Sequence, residues 1–239
     1  MAMSGTEVGN KAMLFIQPLL FRSIELMQSA IENVQKNRPL SALSCVRTHY
    51  EVTGTLALLL KELRAYKATD EQRTKLLALL KRLTLGVGRA HREEYPDIDV
   101  ESVHALNRIR CVDEVLPYDP DPTFQPTMVA YNDLCEFVHI NFSNSHMSLE
   151  YYDGGKYVDL LDEDKLWFVK MRTMNWLTIT SRRFWMIYRE SMRYLKQMER
   201  IPSGAMYPKF YKVQRWLLEK YASLRINLHK SGYWKVKKR

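Results

Sequence analysis

The chain has 239 residues, 46% of them apolar and 26% charged, and a formal net charge of +9. That balance supports a substantial core in one or two domains and excludes a largely disordered chain. No apolar run approaches the ~18 residues that a membrane helix needs; the longest, Thr55 to Leu60, ends at Lys61, so no membrane partner is expected.

In chain order, residues 13–21 imitate a signal-peptide core, but they contain Pro18, follow Glu7 and lack a small-residue cleavage site. Helical spacing of apolar residues predicts a first helix over 11–36, with a kink at Pro18 and an end at Asn37-Arg38-Pro39. A second helix is expected from Ser41 to Tyr66, through Cys45, Val46, Val52, Leu56, Leu59 and Leu63. Asp70 is the expected N-cap of a third, which ends near 91–96 after turns weakened by Gly86 and Gly88. Asp97 or Asp99 is expected to cap a fourth through Val103, Leu106, Ile109 and Val112. Pro117, Pro120, Pro122 and Pro126 then interrupt regular structure over 117–126.

A fifth helix follows over 127–142. Asp153-Gly154-Gly155, between two alternating runs in 147–161, reads as a β-hairpin. The acidic group Asp162, Glu163 and Asp164 suits the start of a long helix to about Arg200, and a last helix spans 209–229. The expected fold is therefore all-α, a bundle of about seven helices with one small inserted β-hairpin, in a single domain over 1–239. Cys45, Cys111 and Cys135 are odd in number and form no Cys-x-x-Cys pair. They suit reduced thiols in a cytoplasmic protein.

Charge is divided sharply along the chain. From Lys165 to Arg239 there are 19 Lys and Arg against three acids, a net +16, whereas residues 1–164 carry −7. All five tryptophans also lie beyond residue 164. A field of one sign concentrates anions, so RNA or DNA is the first expected partner and an acidic protein the second.

Projection of the long helix at about 100° per residue places Met174, Leu177, Ser181, Trp185, Tyr188, Met192 and Leu195 on a core arc. Arg182, Arg189, Arg193, Lys196 and Arg200 form an adjoining stripe. Such a stripe is either a solvated face or is matched by a counter-charge, in another molecule or in the acidic half of the chain. The terminal Lys235, Lys237, Lys238 and Arg239 suit a phosphate-contacting arm. Trp167, Trp176 and Trp185 read as packing residues rather than stacking platforms.

Two helices carry ionisable residues among apolar ones. Arg47 and Glu51 share a face of the second helix, and Glu136 and His139 share one of the fifth. Packed together, they assemble the ingredients of metal-independent phosphodiester cleavage, with His139 as general acid or base, Glu51 or Glu136 orienting it and Arg47 on the phosphate. The alternative is a buried hydrogen-bonded network that fixes helix register. Glu101-x-x-His104 and Glu136-x-x-His139 also have di-iron ligand spacing, but the 117–126 segment lies where a separate glutamate helix belongs. No metal centre and no cofactor is expected.

The Arg47-x-x-x-Glu51 helix and the later Leu134-Cys-Glu-Phe-Val-His139-x-Asn141 resemble bacterial helical proteins of the HEPN superfamily, including AbiV-like abortive-infection proteins. The resemblance spans 40–144. It implies a helical bundle, frequent homodimerisation and, in active members, RNA cleavage in toxin or antiviral defence. Active members carry Arg and His separated by four to six residues. None of the six histidines here has an Arg at that distance; the nearest approach, Arg225 and His229, has three residues between. The resemblance itself carries over only to Glu51 and His139.

Overall fold

The computed structural model describes residues 6–67, 69–85, 103–116, 126–138, 163–199 and 219. Chain contacts separate two compact units, 1–203 and 204–239, and all six described helices belong to the first. They are α1 (Thr6–Gln35), α2 (Pro39–Ala65), α3 (Asp70–Leu85), α4 (Ala105–Val115), α5 (Pro126–Val138) and α6 (Glu163–Glu199). The described residues are all-α. The expected hairpin, the last helix apart from the helical Glu219, the 117–125 connection and the continuations of α3 and α5 lie outside them.

Local chemistry sets most helix ends. α1 runs through Pro18, whose ring removes the hydrogen bond to the carbonyl of Leu14. Both residues are on the solvent side, where water replaces the lost donor. The buried positions Val8, Ala12, Ile16, Leu20, Ser23, Met27, Ala30 and Val34 recur every three or four residues and form one continuous face. Asn37 ends the helix at φ 55°, a left-handed conformation that Asn tolerates better than most residues. The N–H groups of Asn37 and Arg38 return to the carbonyls of Val34 and Asn33, at 3.3 and 2.8 Å. This is a Schellman closure, and Pro39 then opens α2 with its ring preset to a helical φ.

Two expected caps are corrected. At α3 the cap is Thr69 rather than Asp70: its Oγ1 accepts from the Gln72 N–H at 3.3 Å, while the Gln72 side chain reaches back to the Lys67 N–H. Gln72 is thus held at both its N–H and its side chain, and Asp70 becomes the first helical residue. At α4 the cap is His104, not Asp97 or Asp99. His104 has extended backbone (φ −58°, ψ 139°), and its Nδ1 accepts from Leu106 N at 3.3 Å. Val103 and His104 therefore precede the helix, and Glu101 lies outside the described residues. α5 is capped from outside itself, because the Asp113 carboxylate of α4 accepts the N–H of Thr127 at 3.1 Å and of Met128 at 3.3 Å. A carboxylate at this end also favours the positive pole of the helix dipole.

α2 is the centre of the bundle, packed against all the other described helices. Residues 52–57 are buried in succession, so more than a full turn is enclosed on every side. α4 and α6 run in the same direction as α2, and α1 runs against it. On the α4 side, Arg108 donates to Thr55 Oγ1 at 2.7 Å, Lys61 pairs with Glu114 at 2.7 Å, and Arg64 donates to the Val115 carbonyl at 2.9 Å.

Gly54 is the point of closest approach. A Cβ there would lie 2.8 Å from the Arg108 carbonyl carbon and oxygen and 2.9 Å from Ile109 N. Backbone on both sides leaves no flexible side chain to give way. Gly54→Ala is therefore expected to lower stability by about 1–3 kcal/mol despite alanine's better helix propensity. Urea unfolding checks this: the midpoint should fall at an unchanged slope.

Candidate nucleic-acid interface

α6 is deeply embedded. Met174, Leu177, Ser181, Trp185, Tyr188, Met192 and Leu195 are all buried, as the projection requires. A second stripe, Trp176, Thr180, Arg183 and Ile187, is buried too. The residues of α6 between 166 and 197 left exposed are Phe168, Asn175, Arg182, Met186, Arg189, Arg193 and Gln197. None is acidic.

Within the predicted stripe, Arg182, Arg189 and Arg193 are exposed and Lys196 is half-buried. Arg200, Lys235, Lys237, Lys238 and Arg239 lie outside the described residues. Glu190 offers part of the counter-charge: it pairs with Arg193 at 2.5 Å and with Arg64 of α2 at 3.5 Å. For Arg182 and Arg189 there is no ion-pair partner among the described residues.

The neighbouring Arg183 turns inward. Its Nη1 donates to Thr127 Oγ1 at 2.6 Å, and the same hydroxyl donates to Asp113. A buried cation is thereby connected through one hydroxyl to a carboxylate, which joins α6, α5 and α4. Tyr50 of α2 lies beside this chain with its hydroxyl buried and no hydrogen-bond partner. Burial, first of all, pushes that phenol far up. Arg183 lies off the projected core arc, on a second stripe whose sequence signal is the interval pattern 176, 180, 183, 187.

The two polar helices do pack, but a different residue joins them. Arg47 Nε stands 3.6 Å from Glu51 Oε1, and Tyr131 of α5 donates its hydroxyl to that oxygen at 2.8 Å. The Arg47 guanidinium also lies 5.9 Å from the centre of the Tyr131 ring. Burial, and then the bond to Glu51, hold the Tyr131 phenol well above its ordinary range, so it remains a donor. Glu136 is exposed on α5, and His139 lies outside the described residues. The Arg47 and Glu51 side chains keep about a quarter of their surface exposed, at 27% each, so the pair remains open to a ligand.

A second α5–α6 cluster surrounds Arg172. Its guanidinium lies 4.6 Å from the Trp176 ring centre, 5.2 Å from Phe137 and 6.0 Å from Phe168, and Asp133 holds Nη2 at 2.8 Å. Trp176 and Trp185 are buried packing residues, as expected.

His49 is the histidine that the sequence reading passed over. It is fully buried, with Nε2 2.7 Å from Ser23 Oγ of α1 and Nδ1 3.1 Å from Thr180 Oγ1 of α6. Thr53 Oγ1 lies 3.2 Å from the Thr180 hydroxyl and donates to the His49 carbonyl at 2.8 Å. The signal was present in the spacing: Ala42, Val46, His49, Thr53, Leu56, Leu60 and Leu63 follow one another at alternating intervals of four and three. With hydroxyls on both ring nitrogens and no carboxylate, the imidazole fits a neutral bridge between three helices.

Among the described residues, no group of three or more His, Cys, Asp or Glu could hold a metal ion, and no helix is long and apolar enough to cross a membrane. No family model matches the chain, and no curated protein and no solved structure is significantly similar to it.

Burial lowers the His49 pKa to about 3, against about 6.5 when unfolded. Below 6.5 the unfolded chain gains a proton that the native state refuses, so this contribution is complete above 6.5 and is lost as pH falls towards 3. The slope approaches ~1.4 kcal/mol per pH unit. Between pH 7 and pH 5 the protein should lose about 2 kcal/mol more than a His49→Gln variant does. Paired urea titrations at the two values measure that difference, and parallel losses would contradict a neutral buried His49.

Proposed function

We propose that this chain is a nucleic-acid-associated helical protein of HEPN-like type, acting in cytoplasmic antiviral defence, with RNA or DNA held on the outer face of α6. The observation that supports this reading is the composition of that face. Among the described residues, those exposed on it include Arg182, Arg189 and Arg193 and no acid, and the neighbouring Glu190 is shared by Arg193 and Arg64. Guanidinium groups pair with phosphate through two parallel hydrogen bonds, and removal of the counterions on the nucleic acid drives binding. Arg200 and the terminal Lys235, Lys237, Lys238 and Arg239 extend the same sign of charge along the sequence. Homodimerisation and the defence role rest on the family resemblance alone.

Metal-independent RNA cleavage is a second reading, favoured by the partly exposed Arg47–Glu51 pair beside α5, whose last described residue directly precedes His139. In this reading Arg47 holds a phosphate, Glu51 or Glu136 orients the histidine, and His139 moves the proton. An RNase activity of the purified protein should fall at least a hundredfold in His139→Ala; activity that survives the change removes His139 from the reaction.

The nucleic-acid reading is tested by charge reversal on the exposed face. Arg182→Glu combined with Arg189→Glu should weaken binding to a short oligonucleotide more than tenfold near physiological salt. It should also reduce the salt slope by about 1.4 for a single strand or about 1.8 for a duplex, the value of two phosphate contacts. Unchanged affinity and slope would sink the reading. Equal, weak binding of RNA, DNA and an acidic polypeptide, all lost in moderate salt, would instead favour a non-catalytic protein whose basic surface docks on an acidic partner.

A further inference from the structure

The outer face of α6 is not only cationic. Phe168 is 54% exposed and Met186 41% exposed, and both lie on the side that carries Arg182 and Arg189. The series 168, 175, 182, 189 advances by seven residues at each step, which on an α-helix keeps all four positions within about 60° of one another. From Phe168 to Arg189 the face is about 31 Å long. Met186 falls between the two arginines and Phe168 lies at the far end, so apolar groups alternate with cations along the track.

Phe168 has the Arg172 guanidinium 6.0 Å from its ring centre. The Arg172 guanidinium beside it is fixed by Asp133 at 2.8 Å and lies over the buried Trp176 ring at 4.6 Å, with Phe137 on the same guanidinium at 5.2 Å. Phe137 and Trp176 in turn meet edge to face at 5.7 Å. Support of this kind lowers the entropy that a stacking contact must overcome.

We infer that this face is a track for single-stranded nucleic acid, with Phe168, supported by Arg172, as the platform on which a base stacks. The inference rests on the nucleic-acid reading above and adds the strand state of the ligand. A duplex keeps its base faces inside the helical stack and offers phosphates and base edges, so it would give Phe168 and Met186 nothing to cover. A single strand exposes base faces between phosphates, and aromatic platforms bind them with little regard to sequence. The track suits a segment on the order of ten nucleotides, within the range of other single-strand binders.

Fluorescence anisotropy of the full chain with four probes tests the inference: a 12-nucleotide oligouridylate, a 12-nucleotide oligothymidylate, an abasic 12-mer with the same number of phosphates, and a 12-base-pair duplex. At least one base-bearing single strand should bind about tenfold more tightly than the abasic strand and the duplex. Phe168→Ala should weaken that binding about tenfold with an unchanged salt slope, because no phosphate contact is removed. It should leave the abasic strand unaffected, and Phe168→Trp should retain wild-type affinity. Phe168 is exposed, so both variants are expected to fold, which circular dichroism verifies. If Phe168→Ala binds as the wild type does, or if duplex or abasic strand binds as tightly as both base-bearing strands, the inference is overturned. In that event a persisting loss in the Arg182→Glu, Arg189→Glu variant leaves the nucleic-acid reading standing, whereas no loss there overturns both.

Discussion

The fold depends on the burial of the middle of α2, residues 52–57, on every side. A helix enclosed all round cannot present polar groups to water, so each polar group it carries must find a partner inside the bundle or bear the cost of desolvation, on the order of 1–3 kcal/mol. His49 meets Ser23 and Thr180, Thr53 meets Thr180 and its own backbone, and Thr55 accepts Arg108 while donating to the Glu51 carbonyl. Those partners belong to α1, α6 and α4. The requirement to satisfy one central helix therefore fixes the register of three others, and Gly54 sets how closely the fourth helix approaches.

The periphery follows the same logic with ionised groups. Asp113 supplies the donors at the start of α5 with an acceptor, and its bond from Thr127 extends to the buried Arg183. Tyr131 connects α5 to the Arg47–Glu51 pair. These contacts position α5 against α2 and α6 without a large apolar face of its own: Thr127, Tyr131 and Leu134 are its buried residues. The same arrangement leaves α6 with a narrow outward strip. Three of its seven exposed positions between 166 and 197 are arginine and none is acidic, while the rest of the helix surface is taken up by packing.

Much of this was legible locally. The stop at Asn37-Arg38-Pro39 and the seven-residue core arc of α6 follow from backbone preference and from a period of 3.6, which neighbouring residues alone define; the second helix, expected from Ser41, opens two residues earlier at Pro39. The cap at α3 lay within reach as well, since Thr69-x-x-Gln72 is a capping-box spacing. Acidic residues nearby, Asp70 and then Asp97 and Asp99, drew the prediction away. The Arg47–Glu51 pair was visible as an i, i+4 spacing, but the residue that completes it, Tyr131, is 80 positions away.

By itself the sequence determined the helical class of the described chain, the acidic and basic halves, and which face of α6 turns inward, because each depends on composition or on contacts within a few turns. Tertiary structure alone decided that α2 lies at the centre, that His49 bridges three helices, and that adjacent Arg182 and Arg183 take opposite environments. The reason is the same in each case. Successive residues on a helix point about 100° apart, and whether a given direction meets water or another helix is set by partners tens to more than a hundred residues distant, whose positions no local pattern specifies.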